Sequence, residues 1–404
     1  MSPVNVLTGA RLRHLVLSRF RSYDSMDLTS SGCHVVLVGG NGAGKTNLLE
    51  AISMLAPGRG LRQAKLEEMV YRANCKSSQD HRFGYHNGWR VSAMIASGDA
   101  GLGGNTDTKI GVALETTEGR QKHREIKVNG ASVSNAIVLV EYITLLWLTP
   151  AMDSLFLGPA SERRRFLNRL VMLLDSSYGA RVLAYEKVMR HRNRLLREGR
   201  YDSAWLSALE VQMSELGALI AQYRVEAIQR LMTLIAECHE EEMIFPPVHL
   251  SLAGELEIAI SDGVSLSRVI EDYQSSLENM RCEDRAAGRT LYGPHLTDLR
   301  VTYGSKNMPA KLSSTGEQKA MLIGLILAQA RFVSVKKKSP PVLLLDEVTA
   351  HLDGKYRDEL FKIINSIGGQ CWMTGTEASM FKSISDQADI IILEPGSESS
   401  SYSV

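Results

Sequence analysis

Residues 33–54 read CHVVLVGGNGAGKTNLLEAISM. A short β-rich apolar run ends in glycines, and apolar residues then return at helical spacing. That order predicts a buried strand, a tight loop and a helix. The loop itself, GGNGAGKT, fits G-x-x-x-x-G-K-[ST] in full. Its glycines permit backbone angles that turn successive N–H groups inward around a phosphate, and the following helix start favours negative charge. Gly39, Gly40, Asn41, Gly42, Ala43, Gly44, Lys45 and Thr46 are therefore expected to cradle a nucleotide. Lys45 is expected to reach the β and γ phosphates, and Thr46 to offer its hydroxyl to Mg²⁺.

The partner signal lies far down the chain, at residues 340–353, PPVLLLDEVTAHLD. An apolar strand ends in two adjacent acids, a costly arrangement unless a cation compensates them. Asp346 is expected to hold Mg²⁺ through water, and Glu347 to polarise an attacking water as general base. Just upstream, residues 311–330 read KLSSTGEQKAMLIGLILAQA. Ser, Thr and Gly before a long apolar stretch predict a second helix start suited to an anion. Within one chain it would be redundant. It makes sense if it caps the γ phosphate held by another copy, two chains packing head to tail with two-fold symmetry.

Around these motifs the chain alternates in character. LRHLVLSRF, RVSAMIAS, KIGVALETT and REIKVNGASV predict antiparallel strands, with a Gly-rich loop at ASGDAGLGGNTDT. From Ser161 long helical patterns take over, broken at GRYD. After them DLRVTY, PVLLLDEV, QCWMTGT and DIIILEPG alternate with helices, which predicts a parallel α/β sheet. Neither end carries enough strands alone, so both ends must build one lobe. The expected division is 1–150 for the first part of an α/β ATPase head, 151–285 for an inserted helical arm, and 286–404 for the rest of the head. The Ser-rich tail after Glu394 is expected to fray.

The 404 residues carry a net charge of +1, so no global field advertises a nucleic-acid partner. Locally the insertion is lopsided, net +7 over 161–200 and net −6 over 202–242. RHRNRLLREGR is the densest basic stretch and could track DNA phosphates. Alternatively, the two segments neutralise each other across a helical seam. Arg163, Arg164 and Arg165 sit at a helix start with mixed faces, and Lys336, Lys337 and Lys338 read as a loop. No base-reading motif is present, so DNA binding should be sequence-independent and salt-sensitive. The cysteines (Cys33, Cys75, Cys238, Cys282 and Cys371) are scattered and never in C-x-x-C spacing, which argues against zinc or a disulfide framework. The start lacks a signal-peptide pattern and the best apolar run, MLIGLILA, is short for a membrane span, so a cytoplasmic location without membrane contact is expected.

STGEQKA, with AHLD after the paired acids, resembles the signature and D-loop of ABC-type ATPases, and the Glu of the signature is like the SMC-type, DNA-acting branch. LSRFRSYDSMDL, GPASERRRFLNRLV, HRNRLLREG and RTLYGPHLTDL narrow the resemblance to the RecF family of bacterial recombination mediators. The resemblance implies an ATPase head with a short helical arm, ATP-dependent homodimers, and weak, DNA-stimulated hydrolysis. It also implies binding to double-stranded DNA and to single-strand/double-strand junctions, and work with RecR and RecO in loading RecA at gaps. Carried over by position, Ser314 and Gly316 are the signature residues, and Asp353 is the D-loop acid at the dimer seam. Lys45, Asp346 and Glu347 are the catalytic set. Gln63 is the candidate for a glutamine that touches Mg²⁺. One departure stands out. Where many ABC ATPases place a His to sense the γ phosphate, CWMTGTEAS offers Thr374 and Thr376. The alternatives are an SMC-like DNA-tethering ATPase, which the scarcity of heptads disfavours, and a transporter ATPase, which the wide spacing between the two helix starts disfavours.

Overall fold

The computed structural model describes residues 9–32, 34–71, 88–98, 107–115, 123–199, 202–238, 244–350, 352–394 and 399–403. Cys33, Cys75, His351, Arg200 and most of the Gly-rich loop at 96–108 lie outside them. In chain order the first elements are β1 (Gly9–Phe20), β2 (Tyr23–Thr29), β3 (His34–Val38), α1 (Lys45–Ser53), β4 (Trp89–Gly98), β5 (Asp107–Glu115), β6 (His123–Val128), β7 (Ala131–Ser132), α2 (Leu139–Tyr142) and β8 (Leu145–Leu148). Then come α3 (Ala160–Leu174), α4 (Tyr178–Glu198), α5 (Ser203–Cys238), β9 (Val248–Ala253), α6 (Glu255–Ser261), α7 (Leu266–Asn279), α8 (Arg281–Ala287), β10 (Asp298–Tyr303) and β11 (Met308–Pro309). The last are α9 (Thr315–Lys337), β12 (Val342–Leu345), α10 (Gly354–Ile367), β13 (Cys371–Gly375), β14 (Ala388–Ile392) and β15 (Ser399–Ser403).

Two compact units result, Met1–Met152 with Ala330–Val404, and Asp153–Gln329. The first is the α/β head, built from both chain ends. Its five-stranded sheet has the order β14-β3-β13-β12-β8, every pair parallel. β3, from the start of the chain, is hydrogen-bonded on both sides by strands from the end of it. Strands such as VLLL and HVVLV are buried at every position, as expected where both faces of a sheet are covered. The second sheet, β15-β2-β1-β4-β5-β6-β7, is antiparallel except at β15. Leu48, Leu49 and Ile52 of α1 share one core cluster with Leu15, Leu17 and Val91 of this sheet and with Val35, Leu344 and Trp372 of the other. The phosphate loop is thus anchored on both of its flanks.

The second unit is the arm. α4 packs along α5, a helix of 36 residues, and α7 packs on α5 as well. A small antiparallel sheet, β11-β10-β9, belongs to it. Two expectations are corrected here. DLRVTY is not part of the parallel sheet: as β10 it pairs antiparallel with β9, register Asp298 to Ala253. The arm therefore extends to Gln329 rather than ending at 285, and the boundary falls inside α9.

Three further expectations are revised. The Ser-rich tail forms β15, parallel to β2, because backbone pairing at a sheet edge needs no apolar side chains, and Tyr402 packs against the core. Lys336 and Lys337 are not loop residues but the last turn of α9, where cations suit the helix carbonyls. Lys337 Nζ donates to Thr144 Oγ1 at 3.0 Å, and burial pulls its pKa down to about 8. Finally, α9 is long and apolar enough to cross a membrane by length and composition, although the run MLIGLILA alone is short. Its most apolar window is 67% buried within the fold, as in a core helix.

Candidate functional site

The loop of residues 39–44 has a conformation that its sequence imposes. Gly42 and Gly44 take φ values of 84° and 90°, in the left-handed region. A Cβ on Gly44 would lie 2.2 Å from Tyr23 Oη, so only glycine fits there. Helix α1 starts at once, with Leu48 N–H donating to Gly44 O at 3.1 Å. Lys45 is 5% exposed and folds back over its own loop, its Nζ donating to Gly39 O at 2.6 Å and Gly40 O at 2.8 Å. The ammonium is thereby stored beside the place where loop N–H groups would meet phosphate oxygens.

Across the sheet, β12 delivers the two acids. Asp346 is buried, and its Oδ1 accepts from Thr46 Oγ1 at 3.0 Å and from Thr374 Oγ1 at 2.8 Å. Thr374 lies on β13, the parallel neighbour of β12. Its hydroxyl also accepts the backbone N–H of Glu347 at 2.8 Å, so one buried hydroxyl orients both acids. Glu347 itself has φ 51°, a strained value for a residue with a side chain. Burial pushes the Asp346 carboxyl above its ordinary range, and the charge of Glu347 adds to this. Thr374, Thr46 and the Arg62 charge pull the other way. A divalent cation would relieve that strain. Thr46 and Asp346 supply paired oxygens, which suit Mg²⁺, and among the described residues no cluster of three acidic, His or Cys side chains competes for it. A site with so few protein ligands is of the kind that completes its shell with water and substrate phosphate.

Around this centre sits a charged frame that the sequence reading missed. Glu50, on α1 and fully buried, is clasped by Arg21 (2.8 Å to each carboxylate oxygen) and by Arg62 Nη1 at 3.0 Å. Arg62 also bonds Asn47 Oδ1 at 2.7 Å. Arg124 caps the far end of the same helix through Met54 O and Ala56 O, and burial pulls its pKa down to about 10. Gln63 is exposed, with φ 56°, and its amide donates to Gly60 O at 2.8 Å. No hydrogen bond among the described residues joins it to Thr46 or Asp346. Thr376 is exposed on the loop after β13, so of the two threonines only Thr374 bonds to the acids.

The second helix start belongs to the arm. Ser314 and Glu317 form a capping box: Glu317 N–H donates to Ser314 Oγ at 3.3 Å, while Ser314 N–H and Oγ donate to Glu317 Oε2 at 2.9 and 3.0 Å. Lys306 Nζ bonds the other carboxylate oxygen at 2.5 Å, and with the Ser314 donors it holds the Glu317 pKa at about 2. The Ser-x-x-Glu spacing announced this box. Ser314, Thr315 and Gly316 are exposed, and a Cβ on Gly316 would meet nothing within 4 Å. In the head, Asp353 is exposed and caps α10, accepting from Tyr356 N–H at 3.0 Å.

The family described as RecF/RecN/SMC N terminal domain matches residues 11–398. The DNA replication and repair protein RecF of Allorhizobium ampelinum is 44% identical over 385 residues, covering 95% of this chain and 97% of the relative. The protein of the same description from Brucella suis is 46% identical over 385 residues, covering 95% of each. A structure described as the recombination mediator protein RecF-ATPrS in the RecFOR pathway superposes with TM-score 0.80 at 22% identity, over 97% of this chain and 98% of that one. The Smc head domain of Pyrococcus furiosus, bound to the C-terminal domain of ScpA, gives TM-score 0.51 at 16% identity, over 96% and 94%. At those identities the structures speak to the fold, an ABC-type head shared with SMC proteins. The relatives extend the agreement along nearly the full length, and this chain belongs to the RecF family.

Proposed function

We propose that the chain is an ATP-hydrolysing DNA-repair protein whose two copies close on ATP over DNA. The observation that carries this reading is the accessible helix start at Ser314–Gly316. A glycine in a first helical turn costs up to about 1 kcal/mol relative to alanine. Nothing in the packing of the described residues requires Gly316, since a Cβ there meets none of them within 4 Å. A close approach from outside the chain does explain it, and a second copy's γ phosphate is a ligand of the right charge.

In this reading Gly39–Gly44 wrap the phosphates, and Lys45 exchanges its two loop carbonyls for phosphate oxygens. Mg²⁺, held by Thr46 and through water by Asp346, supplies charge neutralisation when bound. Glu347 orients and deprotonates the attacking water. Thr374 fixes the backbone of Glu347 and the carboxylate of Asp346, but it brings no charge to the γ phosphate, which fits slow turnover. Asp353 stands at the seam between copies. Gln63, whose amide N–H donates to Gly60 O, would be the candidate to lend its amide oxygen to Mg²⁺. DNA stimulation, a cytoplasmic location, and work with RecR, RecO and RecA at double-stranded and gapped DNA belong to the same reading, supported by family membership.

Two substitutions test it. Ser314→Arg is expected to keep ATP affinity within about threefold but to abolish ATP-driven dimers in sedimentation velocity, since it places bulk and charge at an exposed seam. Dimers of normal stability would contradict a role in trans. Thr374→Val removes one hydroxyl at nearly constant volume, leaving the Glu347 N–H and an Asp346 oxygen each short of a partner. Turnover is expected to fall by about tenfold or more, with ATP affinity nearly unchanged. An unchanged kcat would remove Thr374 from the positioning of the acids.

A further inference from the structure

A cavity of about 220 Å³ opens in the arm, lined among others by Arg164, Arg165, Arg224, Tyr185, His295 and Glu186. Its charge is not balanced by the protein. Of three consecutive arginines on α3, Arg163 is fully engaged: Nε and Nη2 grip the Asp298 carboxylate at 2.7 and 2.9 Å, and Nη1 bonds Gly158 O at 2.5 Å. Arg164 has no such clamp. Its Nη1 donates to the carbonyl of Thr297 at 3.0 Å, and no acid among the described residues bonds it. Arg165 is exposed, with no hydrogen bond or ion pair among the described residues. Arg224, on α5, is buried and already paired with Glu257 at 2.8 Å. The lining acid, Glu186, is 3.7 Å from Arg190 on its own helix.

The neutral groups cannot take up the surplus. His295 Nε2 lies 3.0 Å from Thr290 O, which only accepts, so Nε2 carries the proton and Nδ1 accepts from Tyr185 Oη at 2.9 Å. Burial, with help from Arg164 and Arg224, holds this imidazole below its ordinary pKa. Burial and then the charge of Arg224 likewise depress the Arg164 guanidinium, with Asp298 opposing. The charged donors left for the cavity are the remaining N–H edge of Arg164 and the whole fork of Arg165, beside the neutral donors Ser161 and Asn168 of its lining. Two guanidinium forks around one cavity match the oxygens of a phosphate group, and charge-assisted bonds of this kind are the strong ones.

We propose that this arm cavity binds a phosphate group, with Arg164 and Arg165 as its ligands. The site is separate from the phosphate loop, which sits in the other unit. Phosphate borne by a nucleic-acid backbone and free phosphate or a small phosphoester share this chemistry, and the test separates them. Full-length chain carrying Lys45→Ala, so that the phosphate loop is silent, is titrated with inorganic phosphate by calorimetry at constant ionic strength. Saturable binding is expected, weakened about tenfold or more by adding Arg165→Glu or Arg164→Gln. Arg165 is exposed, so its substitution leaves the fold intact, which circular dichroism checks. A short DNA duplex that competes with phosphate and is weakened by the same substitutions identifies a backbone phosphate. A duplex bound equally by all variants, with phosphate lost, identifies a small phosphate ligand. Either result upholds the site. Absence of saturable phosphate binding, or binding that both arginine variants retain, overturns it.

Discussion

Lys45→Ala is expected to lower ATP affinity by about 100-fold or more and to abolish ATP-driven dimers together with it. The size follows from the bonds at stake. A charge-assisted hydrogen bond contributes about 1.5–3 kcal/mol, and Lys45 is positioned to make more than one to phosphate oxygens. Its ammonium donates to Gly39 O and Gly40 O. Alanine releases two carbonyls at a loop surface, which water can reach, so thermal stability should change little. Titration with a fluorescent ATP analogue and sedimentation with ATP measure the two effects. Nucleotide held at wild-type affinity would remove the loop from its assigned role.

The second large effect is expected far from the nucleotide. Arg192 of α4 is fully buried. It donates to Glu210 Oε1 at 2.9 Å, Asp284 Oδ2 at 2.6 Å, Thr290 Oγ1 at 3.1 Å and Leu277 O at 2.7 Å. One guanidinium thus pins α4 to α5, α8 and the end of α7. Arg192→Ala leaves Asp284 buried without its cation, while Glu210 keeps Arg281. Breaking a buried pair from one side costs about 3–5 kcal/mol. The arm should lose that much protection in hydrogen exchange of the α4 and α5 amides. A loss below about 1 kcal/mol would show that the network is peripheral to arm stability.

These cases also show what a linear reading could and could not reach. The phosphate loop, the paired acids and the Ser314 helix start are local patterns, each complete within a dozen residues, and the structure finds each at the end of the expected element. Thr374 is different. Its two hydrogen bonds, one donated to Asp346 and one accepted from the Glu347 N–H, exist because β13 pairs with β12 in parallel register, and nothing in CWMTG announces that register. The partners of the arm charges were hidden for a related reason. The stretch RHRNRLLREGR looks uniformly basic, yet Arg192 is a core residue, while Arg190 and Arg194 bond to Glu186 and Glu198 on their own helix. Neutralisation between α4 and α5 occurs at Arg192–Glu210, but Arg224 finds its acid on α6 instead. Helical period predicts which face a residue takes, not which element lies against it. The tail misled because serine is a poor predictor of pairing at a sheet edge, where the backbone supplies the bonds.

On the proposed function, hydrolysis needs two copies. The most direct test is the steady-state ATPase rate per chain as a function of protein concentration, with and without double-stranded DNA. The expected result is a per-chain rate that climbs with concentration until dimers saturate, with the climb shifted to lower concentration by DNA. A rate per chain that is flat across concentration and indifferent to DNA would mean that each chain hydrolyses ATP alone, with Ser314 acting only as the cap of α9.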